Sequence, residues 1–348
     1  AIVLTQNITS SVIQPVFGYI TDKRSMPVLL PFCAAMAGAG FAAIGWVSSY
    51  TLILLTVIII GIASATYHPQ ASKTVNFLSD ENSKAKNMGI FSLGGNAGMA
   101  VGSILMTFLI GLQDGIHNTM YFILPGLLVF GLMMKYMPDY KRVNAEHSLK
   151  KAAVQIKAAS EKLSYTGMFI LLFFIFMRST IHTGLSTYLP LFFMEFRGSE
   201  AIFASALVSA FLLGGVAGTY TGAVLSDRLG ARRIILGSII LSIPTIWLIS
   251  HAGTEIGAML AVVASGFFII GSFATTIVLA QTMLPDNVGM AAGLTIGFSV
   301  GMGGFGVTIL GFIADNFGLP LVMQIVTWLP VAAAIIALKI PIPASLRK

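Results

Sequence analysis

The chain has 348 residues, of which 56% are hydrophobic and only 9% charged, with a mean hydropathy of +0.89. A soluble domain carries about 25% charged residues, so the composition excludes an ordinary soluble protein and makes lipid the natural solvent for most of the chain. The formal net charge of +7 does not indicate a nucleic-acid partner, because the basic residues sit in short gaps between apolar runs and form no face interleaved with aromatics.

A transmembrane helix needs about 20 predominantly apolar residues. Read with that ruler, the chain offers candidate spans at 1–20, 27–47, 51–77, 88–112, 118–137, 165–194, 200–225, 232–251, 254–284, 287–313 and 318–341. Connecting loops are short except for 138–164, a Lys-rich stretch expected to be a partly helical linker. The single cysteine, Cys33, lies in an apolar run, which leaves no disulfide framework and no cysteine metal site. No metal or cofactor is expected. The chain begins with Ala1 and is mostly apolar from its first residues, so we expect it to be a fragment that lacks its start.

Lys and Arg set the orientation. One set of loops holds Lys23 and Arg24, Lys84 and Lys86, the basic linker, Arg228, Arg232 and Arg233, and finally Arg347 and Lys348, whereas the alternate set offers only Arg197. The first set is therefore assigned to the cytoplasm, with the C-terminus inside and Ala1 outside. Five spans precede the linker and six follow it, and the two parts repeat. "GYITDKRSMP" after the first span matches "GAVLSDRLGARR" after the seventh, with Asp22 and Asp227 in corresponding places. Gly94, Gly98 and Gly102 recur at every fourth residue, as do Gly293, Gly297 and Gly301 about 200 residues later. Glycine at that spacing lets helix backbones touch, which predicts close, sliding helix contacts on both faces. Two six-helix halves joined by a linker form a transporter architecture with parallel repeats. The expected domains are a half bundle at 1–137, a linker at 138–164 and a second half bundle at 165–348.

An Asp where a span re-enters the cytoplasm can face the positive end of a neighbouring helix, while Arg and Lys pair with carboxylates or helix C-termini. Such contacts would lock one conformation, and breaking them would license another. On these residues the chain resembles the major facilitator superfamily. Gly222, Asp227, Arg228, Gly230, Arg232 and Arg233 match its loop motif, while Gly18, Asp22 and Lys23 keep the core of a second copy. More narrowly it is similar to the fosmidomycin-resistance branch of drug efflux transporters. "SSVIQPVFGYITDKRSMP", "YHPQASK", "GIFSLGGNAGMAVGS" and "LAQTMLPDNVGMAAGLTIGFSVGMGGFGVTILGFIAD" carry that likeness. The resemblance implies an all-α integral membrane protein with a twelve-helix transporter fold, eleven helices of which are present, the first being absent. The family's antiporter motif in the fifth helix usually ends in Gly-Pro, whereas here Gly102 is followed by Ser103.

Candidate functional residues are the polar groups that fall deep in spans. Arg178 lies about 13 residues past the start of its span, roughly 20 Å along the helix and near mid-bilayer. A charge there costs roughly 2.5 to 3.5 kcal/mol and normally faces a cavity or a partner. We read it as an anion-attracting site, for a phosphonate or carboxylate, against the plainer reading of a cation satisfied by backbone carbonyls. His182 follows one turn later on the same face, with Ser186 beyond. Imidazole titrates near neutral pH, which makes His68 and His182 candidate proton carriers, although a lone membrane histidine is more often structural. Asn96 and Gln281 are further buried polar groups, and interhelical hydrogen bonding is the plainer role for Asn96. Pro69 should kink its helix, Gly61, Ser64, Ala65, His68 and Ser72 share one small, polar face, and Lys73 should snorkel to the cytoplasmic interface. By resemblance, Gln70 stands where some relatives carry Glu, and the visible spans hold no deep carboxylate.

The function expected from this reading is secondary active transport by alternating access, with proton-driven export of a small, anionic, antibiotic-like compound. A bacterial inner-membrane location, a monomer, and small-molecule, proton and lipid partners go with it. An importer of a sugar or organic anion is the main rival. An intramembrane enzyme would need a metal constellation, a Ser/Asp dyad or a nucleophile with a nearby base. No H-E-x-x-H motif and no G-x-S-x-G nucleophile elbow is expected, and the repeated halves favour transport. A non-transporting receptor is weaker still.

Overall fold

Long apolar sequences in lipid must satisfy every backbone group internally, which leaves helices or closed barrels. The computed structural model describes residues 2–24, 26–155 and 165–346, and it is helical, with no strand among them. In chain order the helices are α1 (Ile2–Asn7), a π-helical turn (Ile8–Val12), α2 (Gln14–Lys23), α3 (Leu29–Ile44), α4 (Tyr50–Leu78) and α5 (Lys84–Ile110). There follow a 3-10 turn (Gly115–Phe122), α6 (Ile123–Lys135), α7 (Met137–Gln155), α8 (Tyr165–Phe196), α9 (Ala201–Leu229) and α10 (Ala231–His251). The last are α11 (Glu255–Gly271), α12 (Phe273–Met283), α13 (Val288–Phe317), α14 (Leu319–Leu338) and a 3-10 turn (Ala344–Leu346).

Among the described residues, 9 helical stretches are long and apolar enough to cross a membrane. The two remaining expected spans differ for local reasons. The first is interrupted by the π-helical turn, and the second, α3, has 16 residues, which at 1.5 Å each reach only ~24 Å. The expected partly helical linker begins with α7, and residues 156–164 lie outside the described residues. α4 runs unbroken through Pro69.

The chain divides into two compact units. Unit one holds Ala1–Asp80, Gly94–Leu163 and Leu284–Gly297; unit two holds Glu81–Leu93, Ser164–Met283 and Phe298–Lys348. In unit one, α3 packs on α4 and α6, and the π-helical turn and α2 pack on α4. In unit two, α9 lies along α11, α10 packs on α11 and α14, and α8 packs on α14 and α9. Its core is built from Leu171, Phe174, Ile181, Leu185, Leu207 and Phe211.

Glycine decides where helices touch backbone to backbone. In unit two, a Cβ at Gly214, Gly218 or Gly222 of α9 would overlap the carbonyls of Val263, Phe267 and Gly271 on α11. In unit one, Gly18 meets Gly289, Gly293 meets the Gln14 carbonyl and Gly297 meets Ser11, so the start of α13 lies directly on the first span. Gly301 is half-buried. The other predicted glycine face behaves differently. Gly94 and Gly98 are exposed, Gly102 is half-buried, and a Cβ at any of the three would meet nothing within 4 Å. A four-residue glycine spacing permits close approach but does not choose a neighbour, and here the dense pairing forms on α9.

Overpacking a tight contact costs about 1–3 kcal/mol. Gly222→Val should therefore lower the melting temperature of the purified full chain in detergent by several degrees, whereas Gly98→Ala should leave it unchanged; equal effects would refute this assignment of the contacts.

Candidate functional site

The first amides of an α-helix have no partner within the helix, and the helix dipole makes that end attractive to a carboxylate. Asp22 and Asp227 meet such ends. In unit one, Asp22 at the end of α2 accepts from the amides of Gly289 (3.0 Å) and Met290 (2.8 Å), the second and third residues of α13. In unit two, Asp227 near the end of α9 accepts from the amides of Ala85 (3.1 Å) and Lys86 (2.7 Å), the second and third residues of α5. The repeated sequence motif thus makes the same contact twice. Gly18, one turn before Asp22, and Gly289 are the glycines that let these backbones approach.

The basic members of the motif follow two routes. Arg232 donates to the Leu338 carbonyl at the end of α14 (3.0 Å), and Arg233 to the Leu229 carbonyl at the end of α9 (3.1 Å), positions where a cation also offsets the helix dipole. Lys23 is exposed and its ammonium lies 5.5 Å from the Tyr19 ring centroid, and Arg228 is exposed. Gly230 joins α9 to α10 with φ +90, a backbone region that favours glycine.

Lys73 does not snorkel. It is only 6% exposed, its Nζ lies 3.1 Å from Asp22 Oδ1, and it donates to the Thr21 carbonyl at 2.7 Å. The reason is length: α4 continues more than a turn beyond Lys73 to Leu78, so the ammonium is carried inside the unit and meets the carboxylate there. On the expected small face, Gly61 is buried against Thr9, Ala65 and Ser72 are fully buried, and Ser64 and His68 are half-buried. Gln70 is buried, with its Oε1 unbonded among the described residues.

Arg178, on α8 in unit two, is 4% exposed. Its Nη1 donates to Thr276 Oγ1 at 3.1 Å and, more weakly, to Ser272 Oγ at 3.4 Å. The guanidinium carbon lies 5.4 Å from the Phe273 ring centroid and 6.0 Å from that of Phe174, a cation–π setting. No carboxylate lies within ion-pair distance of it among the described residues. Ser272 is the break between α11 and α12. His182, one turn on, is half-buried, with its ring centroid 5.5 Å from that of Phe211. Ser186 donates back to the His182 carbonyl. Gln281 is buried on α12, and Asn96 is half-buried on α5 in unit one without a hydrogen bond among the described residues. Residues 297–301 spell G-x-S-x-G, but they lie inside α13 and Ser299 Oγ sits 2.7 Å from Ser179 Oγ. That is helix packing, with none of the strand-to-helix turn a nucleophile elbow needs.

Comparison with known proteins now decides the family. The family model described as Major Facilitator Superfamily matches residues 1–295. The chain belongs to the major facilitator superfamily. The fosmidomycin resistance protein of Escherichia coli (strain K12) is 31% identical over 94% of this chain and 80% of that protein. An uncharacterised MFS-type transporter of Bacillus subtilis (strain 168), YfnC, is 32% identical over 100% of this chain and 85% of its own length. In fold, the chain is similar to the E. coli fucose:proton symporter FucP, with a TM-score of 0.76 at 16% identity over 98% of this chain and 90% of that one. A human organic anion transporter gives the same TM-score at 12% identity over 95% and 82%. The protein is accordingly an integral membrane protein with the superfamily's transporter fold.

Sequence reading missed three things in this site: the ion pair of Lys73, and the hydroxyls of Ser272 and Thr276. The last two had a signal, since they stand one turn apart on one face of an apolar stretch.

Breaking a buried pair by removing one partner costs about 3–5 kcal/mol. Lys73→Met should therefore strongly destabilise the protein, and adding Asp22→Asn should recover part of the loss. A double-mutant cycle on detergent unfolding checks this, and additive losses would show that the pair is not coupled.

Proposed function

We propose that this protein is a secondary active transporter that exports a small anionic, antibiotic-like compound such as fosmidomycin in exchange for protons. The supporting observation is Arg178: a guanidinium buried mid-span, held only by hydroxyls and aromatic faces among the described residues. An arginine offers five N–H donors and stays charged under all ordinary conditions. Two weakly basic hydroxyls on one nitrogen leave most of that capacity for a ligand, and a phosphonate or carboxylate would use it as a bidentate acceptor. The relative named for fosmidomycin resistance lends weight to efflux of an acidic compound.

In this reading the half bundles at 1–137 and 165–348, joined by the linker at 138–164, rock about the substrate and expose it to each side in turn. Asp22, paired with Lys73, holds the cytoplasmic end of α13, Asp227 holds that of α5, and both must release them in each cycle. Each such carboxylate stabilises its helix end by about 0.3–1 kcal/mol, up to ~2 kcal/mol when partly buried, small enough for thermal opening. His182, one turn from Arg178, and His68 are the candidate proton carriers. The protein acts as a monomer in a bacterial inner membrane, with its C-terminus in the cytoplasm.

Cells expressing the protein should accumulate less labelled fosmidomycin than empty-vector cells, and Arg178→Gln at equal expression should restore accumulation. Equal accumulation with and without the wild-type protein would overturn the substrate assignment. Counterflow in proteoliposomes with an imposed pH gradient separates export from import.

A further inference from the structure

The hydroxyls that hold Arg178 stand at a structural junction. Ser272 separates α11 from α12, with φ −90 and ψ 2, outside the helical geometry of its neighbours. Thr276 is tied to that break twice: its amide donates to the Ser272 carbonyl at 2.9 Å, and its hydroxyl donates to the Phe273 carbonyl at 2.8 Å. Since the hydroxyl proton is already spent on Phe273, Thr276 Oγ1 is fixed as an acceptor and faces Arg178 as a ready-made ligand.

The same junction leads to the Asp227 contact. Gly271, immediately before the break, lies against Gly222 of α9 so closely that a Cβ on Gly222 would overlap its carbonyl. One turn along α9 from Gly222 comes Ser226, and then Asp227, whose carboxylate holds the start of α5. Thr275, the neighbour of Thr276, lines a small cavity together with Ser226, Asp227, Ala85 and Glu81. Thr275 is 1% exposed and its hydroxyl has no hydrogen-bond partner among the described residues. α12 therefore presents adjacent residues to two places: Thr276 to the guanidinium, and Thr275 to the cavity that borders the held end of α5.

We propose that Thr276, with Ser272, is a positioning group that stands in for the transported anion at Arg178 and reports its arrival to the Asp227 contact through α12. The inference rests on the reading of Arg178 as the anion site. In the empty protein Nη1 is held by the hydroxyls. An incoming anion is a far stronger acceptor and takes the N–H groups, since hydrogen bonds to charged partners are roughly twice as strong as neutral ones. Released from Arg178, the Ser272 break is free to bend, α12 shifts, and the wall of the cavity beside Asp227 moves with it. Asp227 then loosens its hold on Ala85 and Lys86. An empty transporter would keep this end of α5 tied and a loaded one would free it, so that opening is linked to occupancy by differential contacts in the two states.

The test uses the full chain in lipid nanodiscs with Cys33→Ser and Ala85→Cys, which places one thiol at a 3% exposed position beside Asp227. Fosmidomycin binding is measured by calorimetry on the same sample, and thiol labelling with and without it reports release of α5. We expect labelling to change several-fold on binding, Thr276→Val to bind fosmidomycin without that change, and Thr276→Ser to restore it. A purely structural threonine would lower stability in Thr276→Val but leave the labelling response intact, and that outcome overturns the proposal. Binding by the wild type with no labelling response overturns it as well, while leaving Arg178 as the anion site. Absence of binding in the wild type refutes the anion-site reading and this inference with it.

Discussion

A charge inside a membrane protein pairs with another charge or with backbone carbonyls, or lines a pathway for a ligand or ion. Among the described residues three charged side chains are deeply buried. Two of them, Asp22 and Lys73, satisfy each other at 3.1 Å. The third, Arg178, has only hydroxyls and aromatic rings. That contrast organises the functional account. The paired charges stand at a held helix end, and in the proposed reading the third is left for a ligand. An arginine is suited to the second role because its guanidinium is weakly hydrated and presents a planar fork to oxyanions.

The carboxylate contacts tie a short repeated motif to the starts of two helices. A carboxylate placed on two orphan amides gains both hydrogen bonds and the helix dipole, and the chain builds this twice, with Asp22 on α13 and Asp227 on α5. Neither contact would form without glycine nearby. Gly18 against Gly289 brings the backbones together in unit one, and Gly89 of α5 against Ala223 of α9 does so in unit two. The two sites are not equivalent in their surroundings. Asp22 also meets the buried Lys73, and Asp227 borders a cavity lined by Thr275, whose hydroxyl has no hydrogen-bond partner among the described residues.

Much of this was legible in the sequence, and the reasons for the rest are physical. Apolar run lengths carried the helical architecture because lipid leaves few alternatives. The repeated Gly-to-Asp loops singled out both capping carboxylates, since their spacing encodes a local turn. What sequence could not rank was the choice of neighbour. Gly94, Gly98 and Gly102 have the same spacing as Gly214, Gly218 and Gly222, yet only the latter meet another backbone. Lys73 looked like an interfacial anchor because nothing in the sequence shows that Asp22, on another helix, lies beside it. Ser272 and Thr276 passed unnoticed because small hydroxyl residues are common in membrane helices, and only the position of Arg178 gives them meaning.

Arg178 is the proposed counter-charge of a transported anion. The direct measurement is calorimetric binding of fosmidomycin, compared with its neutral diester, to the purified full chain and to Arg178→Gln. Charged hydrogen bonds contribute about 1.5–3 kcal/mol each, a preference of about tenfold or more. The wild type should therefore prefer the free phosphonate by at least that factor, and Arg178→Gln should lose the preference while retaining binding of the diester. An undiminished preference for the anion in Arg178→Gln would contradict the account.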